Sequence, residues 1–531
     1  MRRLDGIPLA IELAAARVNM LSPRQLRGRL EERFRVLTSG NRDLPRHRTL
    51  RALIDWSHDL LDERERAILR SLGIFVNGFT LEGAIAVGAD DDTGECDVFD
   101  SLALLVDQSL VIAEPAGDSL RYRLLQSTRE YMLEKIVAAG EHELLADRHL
   151  TYLRVRFAAL RREAEQTARL TDLEDALLHE FEDVRTALNG ALSRGAVRAG
   201  GELLAEIGVV WRYIGTAGAG VQHLEGYVAA LPETESLLLA QLSSALSFLL
   251  DILCLHGRAL EVAERAVAYA RKSGARAALA FALSNCAFPK LRLGRVDEVR
   301  AELSEAEAIQ ETTPFVRLAL LNRRSLFYRY SGDVEHELRC RERLSRQYRA
   351  VGNVLDELSI ANGLAELEYT CGNTQRAVAL AREILATLRP RDGSRSHGVV
   401  LQNLAGYLCA IDDLQEAEKA ARAALHLLAD TYANEGNVAY VIEHLALVRA
   451  LHGELLLAAV LAGYVDRALQ RRGTKREYNE QATRDRLMET LADRLAPGEF
   501  ERLTADGAAL TAEEARELAL GERLVLQTVR Q

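Results

Sequence analysis

A small residue returns along much of this chain at a nearly constant interval. Gly257, Gly294, Gly332, Gly372, Asp412 and Gly453 stand 37, 38, 40, 40 and 41 residues apart, and Gly215 lies 42 before the first of them. Each marker closes one apolar stretch and opens an Ala-rich one, as in Leu255-His-Gly257-Arg-Ala-Leu-Glu-Val-Ala263, Cys371-Gly372-Asn-Thr-Gln-Arg-Ala377 and Ile411-Asp412-Asp-Leu-Gln-Glu-Ala417. A tight turn between two helices needs a left-handed residue, which Gly, Asn or Asp supplies at least cost. Alanine at helical offsets lets neighbouring helices approach closely. One such hairpin cannot bury its own apolar face, so successive hairpins stack into a superhelix. The period predicts six or seven units over about 150–470.

The first 140 residues read differently. Residues 7–18 and 23–37 are expected to be two short helices; Pro8 suits a first helical turn, and Ser22-Pro23 supplies an N-cap followed by proline at the first helical position. Residues 39–48 (SGNRDLPRHR) form a basic loop rich in helix breakers. Helices are predicted at about 49–61, 63–72, 80–87 and 97–107, with Thr80 as a cap. Two short apolar runs, Ser109–Glu114 and Leu120–Leu125, flank Pro115-Ala-Gly-Asp118, which is a hairpin signal. A helix over about 127–139 closes the unit, giving the outline of a winged-helix domain.

Composition narrows the function classes. Apolar residues at 48% and charged residues at 27% exclude wholesale disorder. The balance of 67 Lys and Arg against 78 Asp and Glu, net −11, argues against a chain-wide nucleic-acid surface. Six cysteines at wide spacings, none in a CxxC pair, fit a reducing cytoplasm without a disulfide frame or zinc site. Arg2-Arg3, an apolar run and Ala14-Ala15-Ala16 imitate a signal peptide, but Asp5, Pro8 and Glu12 interrupt the run. The charge-free stretch Ser236–Leu250 holds only 15 residues and four serines, too short and polar to span a bilayer. Zinc-protease spacing fails after His142, His179 and His336, where the residues four further on are Ala146, Asp183 and Cys340. No serine has glycine at both −2 and +2, so no nucleophile elbow is present.

Several segments resemble one family. Leu4-Asp5-Gly6-Ile7-Pro8-Leu9-Ala10 is similar to the GLPLA segment that closes the nucleotide-binding region of STAND ATPases. Arg46–Ser57, Phe75–Glu82 and Arg121–Leu125 with Arg129-Glu130-Tyr131 resemble bacterial members, NB-ARC-type regulators often joined to transcription-factor domains and carrying tetratricopeptide C-terminal halves. The repeat resembles the tetratricopeptide type with lengthened helices, and Pro497–Ala515 resembles the end of such proteins. The resemblance implies an ATP-dependent switch in full-length members. It places Pro8 against the adenine base, and it aligns Leu125 with the winged-helix histidine that reads the nucleotide phosphate. A leucine cannot donate that hydrogen bond. A phosphate loop needs backbone amides, a lysine and a Ser or Thr for Mg²⁺. The sequence has no Gly-Lys dipeptide, and Gly215–Gly220 is followed by Val221 and Gln222.

The expected fold is therefore all-α: a winged-helix domain with a small β-hairpin, followed by an α-solenoid of tetratricopeptide-like hairpins. The expected divisions are 1–40, the remnant helical end of a nucleotide-binding region; 41–142, the winged helix; 145–470, the repeat superhelix; and 471–531, a C-terminal helical cap. The chain reads as a non-catalytic, cytoplasmic signalling and regulatory protein, the C-terminal half of a STAND-type regulator. No cofactor is expected, with ATP or ADP bound only if a nucleotide-binding core is supplied by another segment. A protein or peptide is the expected partner, held in the repeat groove by side chains of the first helix of each hairpin. Two alternatives stand beside it: one half of a split ATP-dependent switch, and DNA binding through the winged helix. For DNA the predicted recognition helix carries Asp97, Asp100 and Asp107 and no base, leaving Arg42, Arg46, His47, Arg48 and Arg51 as the candidate contacts, or as partners for acidic neighbours at an interface.

Overall fold

The computed structural model describes residues 51, 54–116, 119–211, 217–253, 255–387, 394–428, 435–472 and 476–521. Pro8, Arg42, Arg46, His47, Arg48, Gly215 and the expected region 1–40 lie outside the described residues. The chain divides into two compact units: Met1–Leu160 with Asp175–Glu206, and Arg161–Glu174 with Ile207–Gln531. Among the described residues the fold is all-α apart from one two-stranded sheet.

The first unit opens with a helical turn at 54–59 and then α1 (Glu63–Leu72), which a capping box starts: the Glu65 amide donates to Asp62 Oδ1 at 2.8 Å and the Asp62 amide to Glu65 Oε2 at 2.9 Å. Helix α2 (Leu81–Gly88) is capped by Thr80, as expected, and α3 (Glu95–Asp107) follows. Strands β1 (Ile112–Ala116) and β2 (Ser119–Arg123) pair antiparallel with Ile112 opposite Arg123. The first strand begins three residues later than the sequence suggests. Ser109 takes the left-handed conformation (φ 59°), and the amides of Leu110 and Val111 donate to the Leu105 carbonyl at 3.0 and 3.2 Å. Residues 109–111 thus cap α3 rather than extend the sheet. Helix α4 (Gln126–Ala139) closes the expected order. Ile68, Leu69, Leu72, Val87, Val98, Leu102, Leu105, Met132 and Ile136 are all at most 1% exposed and form one core. Long helices α5 (His142–Thr167) and α6 (Thr171–Ser193), then α7 (Val197–Ile207), follow in the chain.

In the second unit α8 (Ala217–Ala230) precedes six successive hairpins: α9 (Ser236–Ile252) with α10 (His256–Ser273), α11 (Arg276–Arg292) with α12 (Val296–Glu307), α13 (Pro314–Ser331) with α14 (Val334–Val351), α15 (Val354–Thr370) with α16 (Thr374–Thr387), α17 (Ser394–Ala410) with α18 (Leu414–Leu428), and α19 (Glu435–Leu451) with α20 (Leu455–Arg472). Helices α21 (Tyr478–Ala492), α22 (Pro497–Ala508) and α23 (Ala512–Leu520) follow. Gly294, Gly332, Gly372, Asp412 and Gly453 take positive φ (78°, 73°, 85°, 63° and 91°), each two residues before its second helix. Gly257 does not. It lies inside the first turn of α10, and the position two before that helix is 254, outside the described residues. Counted from 254 to 294, the first step becomes 40 residues, like the rest. Alanines make the close helix contacts: Ala263, Ala280, Ala287, Ala405, Ala417, Ala421 and Ala424 are fully buried. Among the described residues no helix is long and apolar enough to cross a membrane.

Candidate ligand groove

The first helices of hairpins two to six carry polar residues at one or both of two positions where an apolar core would be expected. Counting back ten and nine residues from each marker gives Ser284 and Asn285 on α11, Asn322 and Arg323 on α13, Asn362 and Gly363 on α15, Gln402 and Asn403 on α17, and Glu443 and His444 on α19. Ser284, Asn285, Arg323, Gln402, Asn403, Glu443 and His444 are each at most 6% exposed. Buried polar groups cost free energy unless they find hydrogen bonds, so a row of them marks a surface built to hold something polar. The recurrence is readable in the sequence once the register of the markers is known.

Over hairpins four to six the row is occupied by the chain itself. Helix α21 lies against α15, α17 and α19, with Asn479, Glu480, Thr483, Leu487 and Leu491 buried. Gln402 Nε2 donates to Glu480 Oε1 at 3.0 Å, and Asn479 Nδ2 to the Asn403 carbonyl at 3.4 Å. Thr483 Oγ1 donates to the Asn479 carbonyl at 3.1 Å and is 3.0 Å from His444 Nδ1, which assigns the ring proton to Nδ1. A Cβ at Gly406 would sit 2.2 Å from Asn479 Oδ1, so a larger residue there would push the Asn479 amide from its seat. Ahead of α21, Arg476 grips both oxygens of the fully buried Glu443 carboxylate at 2.8 and 2.7 Å and also Asp466 Oδ1 at 2.8 Å. Arg484 donates to Asp466 Oδ2 at 2.5 Å, and Arg486 to the Cys409 carbonyl and Asp412 Oδ1, each at 2.5 Å.

Glu477 reaches further back along the row. Its carboxylate accepts from Arg292 on α11 at 3.1 Å and from Arg329 on α13 at 2.7 Å. Arg329 also donates to Glu366 Oε2 at 2.7 Å, and Asn403 Nδ2 to Glu366 Oε1 at 2.9 Å, so the seam is continuous over four first helices. Burial pushes the Glu477 carboxyl up, but Arg329 and Arg292 outweigh it and hold it below the usual carboxylate range. Glu480 goes the other way. Burial, with the nearby negative charges of Glu477 and Glu366, pushes its carboxyl up to about 8 against the opposing Gln402 hydrogen bond. Burial lowers His444 to about 4, keeping its imidazole neutral. Glu443 is raised by burial even though Arg476 and Arg484 oppose the shift.

Over hairpins one to three the row is partly covered by residues 161–170 and 208–209, with Arg161 over the Phe315 ring and Ala168 packed against Leu318 and Tyr348. A small pocket of about 50 Å³ remains, lined by Ala245 and Phe248 of α9, Phe281 and Asn285 of α11, and Phe315 and Asn322 of α13, with Ala168, Leu170, Gly208 and Val209 on its other side. Arg323 stacks 3.6 Å from the Phe288 ring centroid and donates to Asn285 Oδ1 at 3.2 Å. Aromatic walls with a few placed amides around so small a space suit a small apolar side chain of a peptide better than a highly charged group.

Elsewhere, of the basic cluster only Arg51 lies among the described residues. It forms a bidentate pair with Glu134 of the same unit and packs 5.8 Å from the Tyr131 ring. The outward face of α3 exposes Glu95, Phe99, Asp100, Leu104 and Asp107 and carries no base. In the first unit Asp183 accepts from the Val76 and Asn77 amides at 2.7 and 2.9 Å, which pins the loop before α2. Among the described residues no group of three or more His, Cys, Asp or Glu is placed to hold a metal ion.

No protein-family model matches the chain. It is 41% identical over 212 residues to a Mycobacterium tuberculosis protein named "Putative HTH-type transcriptional regulator", covering 40% of this chain and 24% of that one. It is 45% identical over 156 residues to an "Uncharacterized protein" of the same species, covering 29% of this chain and 39% of that one. The chain thus spans about a quarter and about two fifths of the lengths of these relatives. Among solved structures, the "Signal Transduction ATPase with Numerous Domains (STAND) protein with a tetratricopeptide repeat sensor" of Pyrococcus horikoshii aligns over 94% of this chain and 75% of its own, with a TM-score of 0.41 and 14% identity.

Proposed function

We propose that the chain is a non-catalytic signalling and regulatory module of a bacterial transcriptional regulator, acting in the cytoplasm and holding a protein or peptide through the first-helix row of its repeats. The observation that carries this reading is the row itself: polar residues at a fixed register, most of them buried, ending in a small aromatic pocket at Phe248, Phe281 and Phe315. The mycobacterial relative's name supports a regulatory role, and the sequence lacks the Gly-Lys dipeptide that a phosphate loop requires. DNA binding by the winged helix is the weaker reading, because α3 would set Glu95, Asp100 and Asp107 beside phosphates.

Peptides selected on the purified full chain test this. Binders are expected to lose at least tenfold in affinity when Ala245→Trp fills the pocket, while circular dichroism stays unchanged. ATP turnover by the chain alone, or salt-sensitive duplex binding that Ala245→Trp leaves intact, would contradict it.

A further inference from the structure

The segment 476–492 makes a poor permanent wall. Beside its fully buried Leu487 and Leu491, it meets the row through a long run of charges and amides: Arg476 to Glu443 and Asp466, Glu477 to Arg292 and Arg329, Arg486 to Asp412. Several buried polar atoms at this seam find no partner, including Gln402 Oε1, Asn479 Oδ1, Glu480 Oε2 and His444 Nε2. Each such atom keeps the cost of leaving water without the return of a hydrogen bond. The next helix is fixed in a different way. A Cβ on Gly507 would stand 1.8 Å from the Val460 carbonyl oxygen, and one on Gly463 would stand 2.1 Å from that of Thr504, so α22 and α20 touch backbone to backbone. Buried Leu503 completes that contact.

We propose that residues 476–492 are the protein's own ligand, occupying hairpins four to six of the row until a competing partner helix displaces them. The seam defines that partner. It is an amphipathic helix with an acidic residue at its N-terminal end for Arg292 and Arg329, and with arginines spaced to reach Glu443, Asp466 and Asp412. The small apolar pocket between hairpins one to three and residues 168–170 and 208–209 gives the incoming chain a place for one small apolar side chain before the helix leaves. The inference rests on the partner-binding reading of the row, and it adds an internal competitor and the chemistry of the external one.

The test uses the full chain and a fluorescent synthetic peptide of residues 476–492 (REYNEQATRDRLMETLA). Glu477→Arg with Arg484→Glu repels the segment from its seats while leaving the row intact; Glu477→Gln serves as a milder variant should the double one fail to fold. The peptide is expected to bind the double variant at least tenfold more tightly than the wild-type chain, with hydrogen exchange rising in 478–492 and unchanged in 497–508. If 478–492 exchanges freely in the variant and the peptide still fails to bind, or if 478–492 stays as protected as 497–508 in both variants, the segment is a structural strut and the proposal falls. The two readings part in a competition experiment. Selected peptides that bind the chain without raising exchange in 478–492 defeat the internal-ligand proposal alone. A chain that accepts only its own 476–492 peptide defeats the external-partner reading instead.

Discussion

Helices α21 and α22 both pack on the last hairpins, one with a long polar seam and the other backbone to backbone. The first is held over α15, α17 and α19 by arginines, carboxylates and amides along its N-terminal half, together with buried Leu487 and Leu491. The second is held by glycine-to-backbone contact and a buried leucine on α20. Apolar close packing loses contacts steeply with small shifts, so it holds a single arrangement. A polar seam exchanges its bonds for water at small net cost, because each protein hydrogen bond replaces one to solvent. Two helices adjacent in sequence therefore sit at different levels of local stability, as binding elements and their anchors commonly do.

Four changes would break or sharpen that contrast. The largest effect is expected from Gly507→Val, whose side chain has no room beside the Val460 carbonyl; a loss of about 3 kcal/mol of unfolding free energy is expected by chemical denaturation. Arg476→Ala comes next. It removes three hydrogen bonds and leaves Glu443 with the longer contact to Arg484 at 3.6 Å, so destabilisation of about 2 kcal/mol is expected, confined to exchange in 476–492.

The third is a pH effect. With its carboxyl raised to about 8 when docked, Glu480 must be held protonated at neutral pH or pay to ionise against Glu477 on its own segment and Glu366 on α15. Its group binds more protons docked than free, so docking weakens as pH rises from the ordinary carboxylate range towards 8. Protection in 478–492, taken relative to the intrinsic exchange rate at each pH, is expected to fall between pH 6 and pH 8, and Glu480→Gln, which keeps a hydrogen-bonding partner for Gln402, is expected to flatten that profile. An unchanged slope in the variant would place the proton elsewhere. The smallest effect is salt. Raising NaCl from 50 to 500 mM screens the half-exposed pairs such as Arg486 with Asp412, and weakens docking of α21 by less than about 1 kcal/mol with no change at α22.

Much of the repeat is legible without coordinates, because a left-handed turn residue is a local demand. Asp412 at φ 63° meets it as well as the glycines do. The same reading misplaces Gly257 by three residues, since Leu255-His-Gly257 copies the turn pattern while the chain uses that glycine as a helical residue. In the hairpin, Ser109–Val111 looks like strand because it is apolar and short, yet cap bonds to Leu105 claim its amides first. The polar pairs behind the markers are present in the sequence at constant register, but nothing local distinguishes a buried Gln402 from a solvated one. The return of α21 is the least legible feature. Asn479, Glu480 and Thr483 have the composition of an exposed face, and only the distant partners Gln402, Asn403 and His444 make it an inner one. Of the proposed basic contacts, Arg51 is described, and its bidentate pairing with Glu134 could not be read from residues 83 apart.

Hydrogen exchange measured by mass spectrometry on the intact wild-type chain tests the contrast most directly, comparing amides of 478–492 with those of 497–508 at neutral pH. Protection at least tenfold lower in 478–492, relative to intrinsic exchange rates, and falling further with salt and with rising pH, is the expected result. Equal protection of the two helices, indifferent to both, would contradict an exchangeable inner helix.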